Sequence, residues 1–112
     1  MDIRLEDRDG VRVIRPVGEL TSQSAANLQA VLATQITKAN PTVVMDASLL
    51  SYMDSAGLGA LVSGLNRARE YEGKFFVCGL QDEVRSLFEL TRMSQLFKIF
   101  GSLAEAVAAA QV

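Results

Sequence analysis

Residues 41–70 decide the fold, and they read PTVVMDASLLSYMDSAGLGALVSGLNRARE. The continuous apolar run Val43-Val44-Met45 predicts a strand that is buried on both faces. We interpret Asp46 through Tyr52 as a loop. From Ser55 onward, apolar residues recur at helical spacing, which predicts an amphipathic helix. Its buried stripe is expected to contain Leu58, Leu61, Val62, Leu65 and Ala68.

The segment before this unit predicts a hairpin followed by a helix. Ile3 and Leu5 alternate with charged residues, as in a half-buried strand, and Asp9-Gly10 supplies the tight turn to a second strand. The helix that follows is expected to end at Asn40-Pro41, because the residue before a proline avoids helical geometry. The candidate N-caps of that helix are Ser22 and Ser24.

The segment after residue 70 continues the alternation of strands and helices. Phe75–Cys78 predicts another buried strand, Asp82 is the expected cap of a third helix, and Lys98–Phe100 predicts a short strand. Ser102 and Glu105 have the spacing of a capping box at the start of the last helix. This order predicts a single α/β domain over residues 1–112. We expect a mixed central sheet of about four to five strands, with an N-terminal hairpin and about four helices.

The composition excludes several classes of function. The 112 residues include 11 basic and 13 acidic side chains, for a net charge of −2, so no basic face is available for nucleic acid. The absence of histidine excludes histidine-dependent catalytic triads and histidine-bound zinc. The single cysteine, Cys78, fits a reducing compartment. The charged start does not resemble a signal peptide and the apolar runs are short. We therefore expect a soluble, cytoplasmic protein with no direct membrane binding, no metal and no cofactor.

The most unusual stretch is residues 52–60, YMDSAGLGA, at a predicted junction between strand and helix. Ligands of open α/β sheets bind at such junctions, and a helix N-terminus favours an anion. We expect Ser55 to be the N-cap of this helix. Gly57 and Gly59 would keep the surface of the first turn low, so that another backbone or a modifying enzyme could approach. The same residues also fit an ordinary cap followed by a tight turn.

Three features carry a resemblance to a known family. Gly18-Glu19-Leu20 follows the second strand, residues 52–59 join a strand to a helix, and Leu87-Phe88…Leu96-Phe97-Lys98-Ile99 lies in the C-terminal third. Over essentially its whole length the chain resembles the STAS domain family, and within it the bacterial anti-sigma factor antagonists. The Met-Asp-Ser-x-Gly-Leu-Gly motif is highly specific for this resemblance.

The resemblance implies a protein-binding switch that has no enzymatic activity of its own. Ser55 matches the serine that is phosphorylated by a GHKL-type kinase, which is also the anti-sigma factor. The unphosphorylated antagonist binds this kinase and thereby releases the sigma factor, and a PP2C-type phosphatase restores the binding form. The expected partner-binding residues are Thr21, Ser22, Asp54, Ala56, Gly57, Leu58 and Gly59.

Several points stay open at this level. Asp54 fits a helix cap as well as a group that orients Ser55 during phosphoryl transfer, and Leu58 fits the core as well as an interface. Thr21 departs from the family, in which an aspartate often follows Gly-Glu-Leu. This departure favours an alternative, a STAS scaffold subunit of a membrane-transport ATPase or stress-signalling complex without phosphorylation. A hydrolase with Ser55 as nucleophile would lack a histidine base and the Gly-x-Ser-x-Gly elbow.

Overall fold

The computed structural model describes all 112 residues, which form six strands and five helices. The strands are β1 (Asp2–Arg8), β2 (Val11–Leu20), β3 (Val43–Asp46), β4 (Leu50–Met53), β5 (Phe75–Cys78) and β6 (Lys98–Phe100). The helices are α1 (Ala25–Gln35), α2 (Ser55–Glu70), α3 (Asp82–Leu90), α4 (Met93–Leu96) and α5 (Leu103–Ala110). The α/β class predicted from the sequence is confirmed.

The strands form one mixed sheet in the order β1-β2-β3-β5-β6, with β4 paired to β2 beside this path. The predicted N-terminal hairpin is confirmed, since β1 and β2 are antiparallel. Asp9 and Gly10 between them have φ angles of 52° and 82°, the positive values that tight hairpin turns require. All other strand pairs are parallel. The carboxyl ends of the parallel strands therefore lie at one edge of the sheet, where α/β folds place their sites.

The loop predicted for Asp46 through Tyr52 is wrong at its start, where Asp46 still belongs to β3, and at its end, where β4 forms. The reason lies in β2, which is ten residues long and pairs with β3 only between Arg12 and Ile14. Its last residues extend past β3 and leave unpaired backbone groups, and β4 pairs with them from Gly18 onward. The short helix α4 was also not predicted, and it follows Arg92 in a left-handed backbone conformation.

The helix starts follow the sequence predictions closely. Ser24, one of two candidates, lies at the N-cap position of α1, although its side chain makes no cap hydrogen bond. The predicted end of this helix at Asn40-Pro41 is wrong, since α1 ends at Gln35 and Ile36 has extended backbone. The predicted capping box of α5 is confirmed in its first half, because Ser102 Oγ accepts a hydrogen bond from the Glu105 N–H at 3.2 Å. The Glu105 carboxylate accepts from the Ser102 hydroxyl at 3.0 Å and not from the Ser102 backbone N–H. The predicted cap of α3 is wrong by one residue. Gln81 has extended backbone and is the N-cap, whereas Asp82 is already helical.

Two hydrophobic cores lie on the two faces of the sheet. The larger one packs α1, α2 and α3 on the sheet and includes Phe75, Phe88 and Phe97, whose rings contact edge to face. The smaller core lies beneath α5 and consists of Val11, Val13, Val44, Cys78, Ala106 and Val107. Cys78 is thus a core residue, as expected, and burial raises the pKa of its thiol to about 12.

A buried ion pair joins the first three strands. Arg15 on β2 donates from Nε to Asp46 Oδ2 at 2.9 Å and from Nη1 to Glu6 Oε1 at 3.2 Å. The other Asp46 oxygen accepts from the Ser48 N–H at 3.0 Å. Burial acts to raise the pKa of Asp46, but the hydrogen bonds from Arg15 and Ser48 outweigh it and hold the pKa below its ordinary value of 3.8. Asp46 is therefore a charged group that contributes to stability only while it is ionised.

Candidate functional site

The candidate site lies where β4 leads into α2, at the carboxyl edge of the sheet. Met53, the last residue of β4, is buried and fixes the end of the strand. Asp54 follows with extended backbone, at φ −111° and ψ −174°. One oxygen of its carboxylate, Oδ1, accepts hydrogen bonds from the backbone N–H groups of Ala56 at 3.0 Å and Gly57 at 3.1 Å. Asp54 is therefore the N-cap of α2.

The prediction that Ser55 caps α2 is wrong by one residue. Ser55 is the first helical residue, and it is exposed to solvent. The first-turn N–H groups that a bound anion would use are paired, at Ala56 and Gly57, with the protein's own carboxylate. The helix end is thus occupied by Asp54, and Ser55 stands next to it as an accessible hydroxyl on a fixed backbone.

Asp54 also contacts the end of β2 and the turn that follows it. Its backbone N–H donates to the Leu20 carbonyl at 3.2 Å. The second carboxylate oxygen, Oδ2, accepts from the Ser22 N–H at 3.2 Å, although the two residues are 32 positions apart in the sequence. The structure thereby brings Thr21 and Ser22 together with Asp54 and Ser55.

The turn between β2 and α1 is held by its own hydroxyl groups. Thr21 donates its N–H to Ser24 Oγ at 3.0 Å, and the Ser24 hydroxyl donates to the Glu19 carbonyl at 3.0 Å. Thr21 Oγ1 accepts from the Gln23 N–H at 3.3 Å. Ser24 therefore closes the turn with its side chain and does not cap α1 with it. The sequence indicated Ser24 as a candidate cap but not that its hydroxyl holds the turn beside the site.

The two glycines of the motif differ in the space around their Cα atoms. A Cβ on Gly57 would lie 2.7 Å from Met53 Cγ and 2.8 Å from the Leu20 carbonyl oxygen, whereas a Cβ on Gly59 would meet nothing within 4 Å. The expectation of a low, open surface therefore holds for Gly59 only. At Gly57 the backbone that approaches closely is the chain's own β2.

Leu58, which the sequence assigned either to the core or to an interface, lies in the core with 5% of its surface exposed. Gly57 is buried as well. The remaining predicted residues are exposed or half-buried and share one surface, which we call the docking face. It consists of Thr21, Ser22, Asp54, Ser55, Ala56 and Gly59.

The elements that border the docking face differ in their charged residues. A recess beside β4 is lined by Glu19, Ser51, Tyr52, Gln81, Asp82 and Glu83. Tyr52 in this recess is 44% exposed. On the opposite side α1 has no charged residue, and α2 has none before Arg67. A negative group added at Ser55 would therefore stand next to the Asp54 carboxylate, with no basic side chain in α1 or in α2 before Arg67.

Comparison with known proteins decides the family. A family model for the STAS domain matches residues 2–106. The chain belongs to the STAS domain family. It is 33% identical, over 97% of its length and 94% of the relative's, to BtrV of Bordetella bronchiseptica, which is named as an anti-sigma factor antagonist.

Solved structures of STAS proteins agree with this assignment. An anti-sigma factor antagonist from Mycobacterium paratuberculosis is 26% identical, with a TM-score of 0.85 and coverage of 99% of this chain and 94% of that one. The Bacillus cell fate determinant SpoIIAA in its phosphorylated form has the same fold, at 22% identity and a TM-score of 0.73, with coverage of 96% of this chain and 98% of that one.

The helices of this structure are too short or too polar to span a lipid bilayer.

Proposed function

We propose that this STAS domain is an anti-sigma factor antagonist whose partner binding is switched by phosphorylation of Ser55. The observation that carries the proposal is the contrast between Ser55 and its neighbours. Ser55 is exposed, whereas Met53, Gly57 and Leu58 on either side are buried in the core. A kinase would thus meet an accessible hydroxyl on a backbone that the core holds in one position.

The unphosphorylated docking face suits close contact with a protein partner. Thr21, Ser22, Ser55 and Ala56 are small, and Gly59 adds no side chain at all. The partner in this proposal is a GHKL-type serine kinase that acts as the anti-sigma factor, and a PP2C-type phosphatase reverses the modification. In this proposal the antagonist is a cytoplasmic protein that carries out no reaction itself and needs no cofactor.

Phosphorylation of Ser55 would weaken binding through charge. A phosphate adds about −1.5 to −2 charges and three acceptor oxygens. It would stand beside the Asp54 carboxylate, and neither α1 nor the part of α2 before Arg67 has a basic side chain to pair with it. Because Ser55 is exposed, the folded domain tolerates this group, whereas a partner packed on the docking face would have to bury it without compensation.

A capture experiment tests this proposal. Wild type, Ser55→Ala and Ser55→Asp chains are used as baits in lysate of the native host, and the recovered proteins are identified by mass spectrometry. Ser86→Asp, which adds the same charge at an exposed serine of α3, is the matched control. We expect wild type, Ser55→Ala and Ser86→Asp to recover a GHKL-type ATPase, and Ser55→Asp to recover much less of it.

Recovery of that ATPase in equal amounts by Ser55→Asp and wild type would contradict the switch. The alternative function, a scaffold subunit without phosphorylation, is favoured by Thr21 at the position where an aspartate is common in the family. It has a different signature in the same experiment, since all four baits would recover membrane-transport or stress-complex subunits.

A further inference from the structure

We propose that Asp54 is a positioning residue that holds the two halves of the docking face in register, and that a phosphate on Ser55 breaks its bond to Ser22. One half is the start of α2, with Ser55, Ala56 and Gly59, and the other is the turn with Thr21 and Ser22. The inference rests on the proposed function for its biological meaning, but its tests use the protein alone.

The two carboxylate oxygens of Asp54 have separate tasks. Oδ1 accepts from the N–H groups of Ala56 and Gly57, in a half-buried position. Oδ2 accepts from the Ser22 N–H at 3.2 Å, in an exposed position. One side chain therefore fixes both the first turn of α2 and the turn after β2.

Two hydrogen bonds tie this segment to the start of α2. The Asp54 N–H donates to the Leu20 carbonyl and holds the end of β2, and the Ser22 N–H donates to Asp54 Oδ2 and holds the turn that follows. Its other hydrogen bonds are local: Thr21 bonds with Ser24 and Gln23, and Ser24 bonds with the Glu19 carbonyl. These bonds preserve the shape of the turn but do not connect Ser22 to α2. Loss of the bond to Asp54 would let Thr21 and Ser22 move against Ser55 while the fold stays intact.

A phosphate on Ser55 would act first on the bond to Ser22. The phosphate would be on the residue next to Asp54, so its charge would repel the carboxylate and weaken the bonds that the carboxylate accepts. Of the three bonds that Asp54 accepts, the one from Ser22 is the longest and the only one in an exposed position. We therefore expect this bond to break while the bonds to α2 persist.

Asp54→Asn separates the two tasks of the side chain. Asparagine is as good an N-cap as aspartate, so its carbonyl oxygen can keep the bonds to Ala56 and Gly57. Its amide nitrogen then faces the Ser22 N–H, which meets a donor in place of an acceptor. We expect amide hydrogen exchange, measured residue by residue by NMR, to become about tenfold faster at Ser22 and to change little at Ala56 and Gly57.

The matched control is Asp82→Asn. Asp82 is exposed and lies in the first turn of α3, where Gln81 is the N-cap. The control removes one aspartate charge at a helix start without touching Asp54, and it should leave exchange at Ser22 unchanged. Faster exchange at Ser22 in both variants would overturn the specific tie to Asp54.

The phosphate step is tested with a chain that carries genetically encoded phosphoserine at position 55. We expect Ser22 exchange to rise about as much as in Asp54→Asn, and phosphoserine to add little in the Asp54→Asn background, because both changes remove the same bond. Unchanged exchange at Ser22 in the phosphoserine chain would overturn the proposal. Failure of the proposed function would differ, since the phosphoserine chain would then release Ser22 and still bind its partner.

Discussion

Asp54 and Ser55 are neighbours in the chain and lie in different surroundings. Asp54 uses its carboxylate to join α2 to the turn after β2, and Ser55 is left exposed beside it. The sequence motif identified this pair as the centre of the site but not which residue is the cap. Both residue types are good N-caps, so propensity could not decide between them.

The bond between Asp54 and Ser22 could not be predicted from the sequence. It connects a side chain to a backbone N–H 32 positions away, and a backbone donor has no residue-type signal. The burial of Gly57, by contrast, could have been predicted from the sequence. Gly57 lies four positions before Leu61 and eight before Leu65, so helical spacing already places it in the buried stripe.

The stability of the fold should depend on Arg15. Arg15→Met would leave the Asp46 carboxylate buried without its main partner, which should lower the free energy of unfolding by about 3 kcal/mol at neutral pH. The control is Arg12→Met, whose partner Asp7 has a side chain that is 69% exposed, and it should cost about 1 kcal/mol or less. Urea unfolding measures both values.

The loss of unfolding free energy caused by Arg15→Met should depend on pH. In the wild type, the ion pair with Arg15 lowers the pKa of Asp46. The contribution of the pair to the free energy of unfolding is therefore fully present above the ordinary pKa of 3.8 and is lost as the pH falls through the folded-state pKa. The difference in unfolding free energy between variant and wild type should therefore narrow as pH falls below about 4. A difference that stays constant or widens toward acid pH would contradict this role of Asp46.

At the scale of secondary structure elements, the contact between α2 and β2 depends on one glycine. Gly57→Ala would place a methyl group within 2.8 Å of the Leu20 carbonyl oxygen and should destabilise the fold by about 1–3 kcal/mol. Gly59→Ala has open space at its Cβ and should stabilise the helix by up to about 1 kcal/mol. Thermal unfolding of the two variants checks these opposite signs, and equal shifts would show that Gly57 is not a packing position.

The elements that the sequence predicted are those with strong local patterns. The strands β3 and β5 contain the continuous apolar runs Val43–Met45 and Phe75–Cys78, and α2 has a clear helical stripe. β4 was missed because its partner, the end of β2, is distant in the sequence and the parallel pairing leaves no turn signal between them. α4 has four residues, too few for a periodic pattern.

At the scale of the whole molecule, the parallel sheet assembles the site from two distant segments. The ends of β2 and β4 pair side by side, which places the turn at Thr21 next to the start of α2. The strand–helix alternation predicted this class of fold, and the fold predicts that binding residues gather at the carboxyl edge. The exact neighbours depend on the extension of β2 past β3, which no local pattern shows.

The most direct test of the central claim is the affinity of the host's purified GHKL-type kinase for two forms of the chain. One form is unmodified, and the other carries phosphoserine at position 55. Titration calorimetry should show binding that is at least about tenfold weaker for the phosphoserine form, with both forms equally folded by circular dichroism. Equal affinities for two folded forms would contradict a switch at Ser55.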